Sequence, residues 1–467
     1  MPSSTSRRSV RAALVALIGV VVLAVGAACT TTVVGQASYA NGIKKTAPQS
    51  NLEIKGSDGG KIDKLVANSL SDIFAYWKGK FEKDFGKKWK PISGGIYSYT
   101  PDQSEKIPCI GSAKSGADNA YYCPSGDLIA YDRDFLKKLA DQYGDFIVPL
   151  ILAHEYGHAI QDEIGDTGNK SIVVETQADC YAGVFVNAAT KGTPHFSVTT
   201  KDLDSVLAGY LLFRDEPGGS ASQAGSHGSG FDRVSAFQEG YVDGTQACLK
   251  NFNDKRTFTE TPYTSPNDAA NKGNAPYSSI GGIGTDEFNL YFDEVLSKKN
   301  KKWNEIKSKQ FDGNSASCDG KKQKQLIFLC TSDDTVYYAG TDLAKKAYEN
   351  FGDYAVVQLM GIEYADAALN VLGNKAKGKD RLTKQICLTG TYAGDAFRRT
   401  AEGQATLAGN TLSAGDLDEA VAVLLGIGSS NVVLDTHEMT AFDRINAFRK
   451  GVLSSINTGP DIDSCLK

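Results

Sequence analysis

His154-Glu155-Tyr156-Gly157-His158 combines two imidazoles and a carboxylate at a spacing that suits a divalent metal. Residues four apart leave an α-helix from the same face, so both rings can reach one ion while Glu155 stands beside it. These are the parts of zinc-assisted hydrolysis: Zn²⁺ lowers the pKa of a water, and the glutamate takes its proton. Polar residues on a solvated helix face would be the bland explanation. Apolar neighbours on both sides argue against it, because a buried His-Glu-His cluster without a cation is costly. Catalytic zinc needs a third protein ligand and one position left for water. Glu175 is the candidate ligand, and Asp179, one turn further on, can accept the ring N–H of a ligating histidine.

The chemistry requires helices at both places. Phe146, Ile147, Leu150, Ile151, His154 and His158 recur at helical spacing and predict a buried helix over Gly144 to Ile164, with Asp145 able to cap it and Gly165 able to stop it. Pro149 is tolerable in its first turn. A second helix is expected from about Val173 to Ala189, and a small β component between Ile96 and Asp132.

The 467 residues are 41% hydrophobic and 22% charged, with net charge -5 and no long run of one sign. That suffices for two domains with separate cores and provides no basic stripe for phosphates, so nucleic acid is not an expected partner. Arg7, Arg8 and Arg11 precede an apolar run from Ala12 to Ala28. Residues 1–28 therefore read as a signal peptide whose lipobox ends at Cys29, the candidate for acylation, although Gly26 stands where such boxes usually carry leucine; plain signal-peptide cleavage and an uncleaved membrane helix are the other readings. Ser6-Arg7-Arg8 partly resembles a twin-arginine signal, which leaves the export route open. A lipid anchor would make the membrane a partner and place the protein at the cell envelope. Residues 29–60 read as a flexible tether and residues 256–284, with Pro262, Pro266 and Pro276, as a linker between domains 61–255 and 285–467.

The second of these domains repeats the first. Asp72-Ile73-Phe74 and Lys87-Lys88-Trp89 return as Asp286-Glu287-Phe288 and Lys301-Lys302-Trp303 at one offset. In the same order, Tyr121-Tyr122-Cys123 matches Phe328-Leu329-Cys330, Gly144-Asp145-Phe146 matches Gly352-Asp353-Tyr354, and Tyr181-Ala182-Gly183 matches Tyr392-Ala393-Gly394. Asp202-Leu203-Asp204 then matches Asp416-Leu417-Asp418, and Phe231-Asp232-Arg233 matches Phe442-Asp443-Arg444. Such a colinear series indicates an ancient duplication. At the motif, His154 becomes Ile362 and His158 becomes Asp366, while Glu175 falls opposite Ile386 and Asp179 opposite Gly390, so one zinc ion is expected, in the first copy alone. Glu363 survives without a metal. Setting Cys29 aside leaves eight cysteines, an even number for an exported chain. Sequence does not determine connectivity, but the repeat suggests Cys109 with Cys123, Cys180 with Cys248, Cys318 with Cys330 and Cys387 with Cys465.

The run His154 to Gln161, followed by Glu175-Thr176-Gln177-Ala178-Asp179-Cys180-Tyr181-Ala182-Gly183, resembles the bacterial neutral zinc metallopeptidases, and the match continues through Ser226-His227-Gly228-Ser229, Arg233 and Cys248. With its leader and second copy, the whole chain is similar to the LpqM-type lipoprotein peptidases of actinobacteria. The resemblance implies a mainly helical α+β, zincin-like (minigluzincin) catalytic domain followed by a degenerate duplicate of that fold. It also implies an endopeptidase acting on peptides or proteins. His227 and Arg233 fall at the family's late His and Arg positions, which lie near the metal. His227 would donate to the oxyanion, and Arg233 would hold its loop or Asp179. A surface histidine in a glycine-rich loop is an equally fair reading of His227. His195 and His437 match no motif. The rival to an enzyme is a non-catalytic zinc scaffold or binding lipoprotein with paired domains. Glu155 separates the two, since a structural zinc site has no use for that carboxylate.

Overall fold

The computed structural model describes residues 42–110, 112, 116–166, 168, 170–199, 202–427, 433–434 and 439–467; the segment 1–28 expected to be a signal peptide, Cys29 and His437 lie outside them. The fold is α+β and mainly helical with small sheets. Helix α1 (Lys61–Lys78) buries Leu65, Val66, Leu70, Ile73 and Trp77 at helical spacing. Strands β1 (Gly95–Tyr99), β2 (Ala120–Cys123) and β3 (Leu128–Asp132) form a sheet in the order β1-β3-β2. The central strand β3 is buried throughout, parallel to β1 and antiparallel to β2, with Tyr122 opposite Ile129. One edge of β2 is thus unpaired within the sheet, and its N–H groups are free to meet a helix.

Asp132 caps α2 (Arg133–Tyr143), accepting from the N–H groups of Asp134 and Phe135. Next come α3 (Ile147–Ile164), α4 (Ser171–Lys191), α5 (Leu203–Leu212) and α6 (Gly230–Asp243). Asp145 does not cap α3. Its carboxylate lies 2.6 Å from Lys61 Nζ, and the helix starts after Phe146 with no side-chain cap. Pro149 falls in the first turn, where its missing N–H removes no intrahelical bond, and Gly165 ends the helix at φ 74°. Helices α4 and α6 cross with their backbones in contact: a Cβ added to Gly240 would lie 1.8 Å from the Cys180 carbonyl oxygen.

Elements of the same kinds follow in the same order in the second half. They are α7 (Tyr277–Ser297), β4 (Lys307–Phe311), β5 (Ile327–Cys330), β6 (Thr335–Ala339), α8 (Lys345–Phe351), α9 (Asp353–Val371), α10 (Gly378–Ala401), α11 (Asp416–Gly426) and α12 (Ala441–Ser455). The sheet order is β4-β6-β5, again with one parallel and one antiparallel pair. Helix α7 begins inside the stretch read as a linker, and Pro266–Ala270 form a short helix there.

The two halves exchange helix caps. Asp204 on α5 accepts from the Ala441 and Phe442 N–H groups that open α12, at 3.1 and 3.0 Å. Asp418 on α11 accepts from the Gly230 and Phe231 N–H groups that open α6, at 3.0 and 2.7 Å. Each carboxylate meets the positive end of the other half's helix.

Residues 42–60, the latter part of the expected tether, are hydrogen-bonded to this body. Ile43 bridges Phe196, and Lys55 donates to the Ile96 carbonyl while accepting from Ser98 N–H. Backbone pairing leaves little trace in composition, which is why the segment reads as tether-like. Buried His195 anchors it, with Nδ1 2.6 Å from Asp72 Oδ1 and Nε2 2.9 Å from the Pro48 carbonyl oxygen. Disulfides join Cys109 to Cys123, Cys180 to Cys248, Cys318 to Cys330 and Cys387 to Cys465. No described helix is long and apolar enough to cross a membrane.

Candidate metal centre

Helix α3 presents His154 and His158 on one face, and α4 crosses there because Gly157 has no side chain. A Cβ on Gly157 would lie 2.8 Å from Ala178 Cα. That close crossing carries Glu175 to both rings. His154 Nε2 lies 3.2 Å from His158 Nε2 and 3.3 Å from Glu175 Oε2, and His158 Nε2 lies 3.6 Å from Glu175 Oε1. A tetrahedral shell with bonds of about 2.0–2.1 Å has donor–donor edges of roughly 3.3 Å. The ring–ring separation and the distances from the rings to the two Glu175 oxygens therefore match the edges of a zinc site.

Proton positions follow from the partners of the other ring nitrogens. His154 Nδ1 lies 2.7 Å from Asp179 Oδ1, a carboxylate that Arg233 holds ionised through Nε at 2.8 Å and a terminal nitrogen at 2.9 Å. His158 Nδ1 lies 2.9 Å from Gln161 Oε1, whose amide nitrogen donates to the Val174 carbonyl and to Gln177 Oε1. Both Nδ1 atoms must donate, so in the neutral rings both Nε2 lone pairs converge with a carboxylate at close range. Such lone pairs repel unless a proton or a metal cation sits between them.

The electrostatics agree. Burial opposes charge on His154, but Asp179, then Glu175 and Glu155, outweigh it and lift the imidazole to about 10. Burial likewise opposes charge on Glu175, yet the two imidazoles hold it well below the usual carboxylate range. Burial also works against Asp179, and Arg233 and His154 overcome it to keep that carboxyl low. The pocket selects for positive charge, and two imidazoles with one carboxylate are a donor set that zinc accepts.

Glu155 points from the same helix toward the sheet, where its Oε2 accepts the Tyr122 N–H of the free β2 edge at 2.9 Å. Burial lifts its carboxyl above the ordinary range against the pull of the imidazoles, a direction that suits a base. A cleft of about 820 Å³ opens over these groups, lined among others by Tyr122, Phe135, Tyr210, Arg214 and His227. His227 stands half exposed in its wall, with Nδ1 3.2 Å from Asp215 Oδ1. Arg233 is buried, donates also to the Phe213 carbonyl at 2.6 Å, and does not face solvent.

Three contributors carried no assigned role in the sequence. Gln161 lies three residues after His158, so its shared helix face was a readable signal. Asp215 has no motif around it, and the role of Tyr122 belongs to its backbone, which no side-chain pattern reveals.

The comparable place in the second half lacks these donors. Ile362 is fully buried, Asp366 is held by Arg381 and by Gln385 at 2.8 Å, and Arg444 donates to the carbonyls of Leu424, Ile427 and Met439. Glu363 accepts from Leu329 N–H at 2.9 Å, as Glu155 accepts from Tyr122.

A family model described as "Putative neutral zinc metallopeptidase" matches residues 3–252. The chain belongs to this family. Uncharacterized proteins of Mycobacterium tuberculosis (Rv2575) and Mycobacterium bovis (Mb2605) are 30% identical over 187 residues, covering 33% of this chain and 63% of theirs. The uncharacterized Escherichia coli protein YpfJ is 26% identical over 156 residues, covering 28% of this chain and 53% of its own. The chain thus spans under two thirds of the length of these relatives. No solved structure matches. The family's designation agrees with the donor triangle on α3 and α4.

Proposed function

We propose that this protein is a zinc-dependent endopeptidase of the cell envelope, anchored by lipid at Cys29. The observation that carries the catalytic reading is the convergence of His154, His158 and both oxygens of Glu175 at separations of 3.2 to 3.6 Å, with a buried glutamate beside them. When bound there, zinc supplies a Lewis acid and lowers the pKa of water. The chain's own residues do the rest. Glu155, steadied by Tyr122 N–H, takes the proton of the attacking water and delivers it to the leaving amine. His227, oriented by Asp215, donates to the oxyanion, and the cleft receives a peptide or protein. Asp179 and Arg233 hold the His154 ring in its donor tautomer.

The second half is read as a degenerate, zincin-like duplicate. The repeated order of elements, the matching sheets and the exchanged caps of Asp204 and Asp418 support this. Its role is architectural, since it holds the start of α6 and hence Arg233.

The test is cleavage of a denatured protein by the full chain and by Glu155→Gln, with zinc content measured in both. The variant should keep its zinc and lose cleavage by about 10²–10⁴-fold. Zinc bound with no cleavage by either protein would instead favour a scaffold.

A further inference from the structure

The second half holds a cluster that the zinc chemistry does not use. Asp353 at the start of α9 and Asp416 and Glu419 in the first turn of α11 each bring a carboxylate oxygen within 4.8 Å of the others. One oxygen of each accepts a backbone N–H: Asp353 Oδ2 from Ala275 at 2.9 Å, Asp416 Oδ2 from Ser413 at 2.7 Å, and Glu419 Oε2 from Tyr354 at 2.8 Å. Asp353 Oδ1 and Asp416 Oδ1 are buried with no partner, and Asp416 is 5% exposed. An ionised carboxylate oxygen in that position needs a donor or a cation. The titratable groups bearing most on the three are one another, Asp268 and Asp418, all of them acidic. The backbone makes room for the crowding. Gly352 has φ 125°, and a Cβ there would lie 2.0 Å from Glu419 Oε1.

The residues at the repeat positions of the first half are partnered differently. By the repeat, Asp353 corresponds to Asp145, Asp416 to Asp202, Glu419 to Ser205 and Ala275 to Lys61. Lys61 neutralises Asp145 at 2.6 Å, and Asp202 accepts from the Thr199 N–H and hydroxyl at 2.7 Å each. At these positions the second half carries alanine where the first has lysine and glutamate where the first has serine, one positive charge fewer and one negative charge more.

We propose that Asp353, Asp416 and Glu419 form a calcium site. The donors are hard carboxylate oxygens from two helices, more of them than magnesium takes from a protein, and no imidazole or thiolate contributes to select zinc. An ion there would join the start of α9 to the first turn of α11 and to the connector at Ala275. The same turn carries Asp418, which caps α6 of the catalytic half.

The test uses the full chain, stripped with EDTA and reloaded with zinc, and titrated with CaCl₂ by calorimetry. One calcium per chain and a higher melting temperature in calcium are expected. An Asp416→Asn, Glu419→Gln variant should keep its zinc content, lose both calcium responses, and melt no lower than wild type in calcium-free buffer, because the repulsion is gone. If that variant fails to fold, the wild-type titration decides. No calcium heat with an unchanged melting temperature in wild type, or calcium binding undiminished in a folded variant, overturns the assignment. Zinc content is read separately, so the catalytic reading stands or falls independently.

Discussion

Replacing Gly157 by alanine asks whether the crossing of α3 over α4 sets the size of the donor triangle. The added Cβ would lie 2.8 Å from Ala178 Cα, 2.9 Å from its carbonyl oxygen and 3.0 Å from its Cβ. No rotamer change relieves these contacts. Restoring ordinary separations of about 3.5–4.0 Å requires the helices to part by roughly 0.7–1.2 Å. Glu175, one turn before Ala178 on α4, moves with that helix, whereas metal–ligand distances tolerate about 0.2 Å. Zinc affinity should fall on the order of 10–100-fold, the range found when a ligand loses its support. Stability should change less. Overpacking costs about 1–3 kcal/mol, and alanine returns about 1 kcal/mol of helix propensity, leaving a net loss of about 0–2 kcal/mol. Zinc competition against a chromophoric chelator gives the affinity, and thermal melting by circular dichroism gives the fold. A folded Gly157→Ala protein with wild-type zinc affinity would refute the reasoning.

Other outcomes follow from the same structure. Arg233→Met strips the buried Asp179 of its two-pronged partner and should cost about 3–5 kcal/mol by urea denaturation, with part recovered when Asp179→Asn is added; an unaltered midpoint would contradict the buried ion pair. Asp418→Ala leaves the Gly230 and Phe231 N–H groups without their cap and should lower stability by about 0.5–2 kcal/mol in the same assay. Burial, then Asp366, pushes Glu363 from 4.5 up to about 8. The folded state then keeps a proton that the unfolded state has released. This contribution to stability is whole below the unfolded value and is lost as pH rises through the folded one. Glu363→Gln can keep the Leu329 bond without titrating, so its stability relative to wild type should rise from about pH 5 to about pH 8. Parallel urea midpoints across that range would rule this out.

Much of the site was legible because its chemistry obeys a local rule. Residues four apart on a helix share a face, so His154 with His158, and Glu175 with Asp179, could be paired on paper. The parallel order of motifs in the two halves was also on the page, as was isoleucine at 362 and aspartate at 366 in place of the two imidazoles. Non-local partners were not. Asp145 looked like a cap and is instead the partner of Lys61, 84 residues earlier. The hold on Glu155 comes from a backbone N–H at a strand edge, and Asp215 reaches His227 from a loop with no motif.

The order of residues alone determined which groups could bind a metal, because helical periodicity is a property of the chain itself. Tertiary structure decided how near those groups stand. The crossing at Gly157 sets the triangle, Arg233 from a distant helix sets the charge on Asp179, and the exchanged aspartates join the halves. The reason is that packing distances depend on surfaces that meet only after folding, and no local pattern encodes the partner's shape.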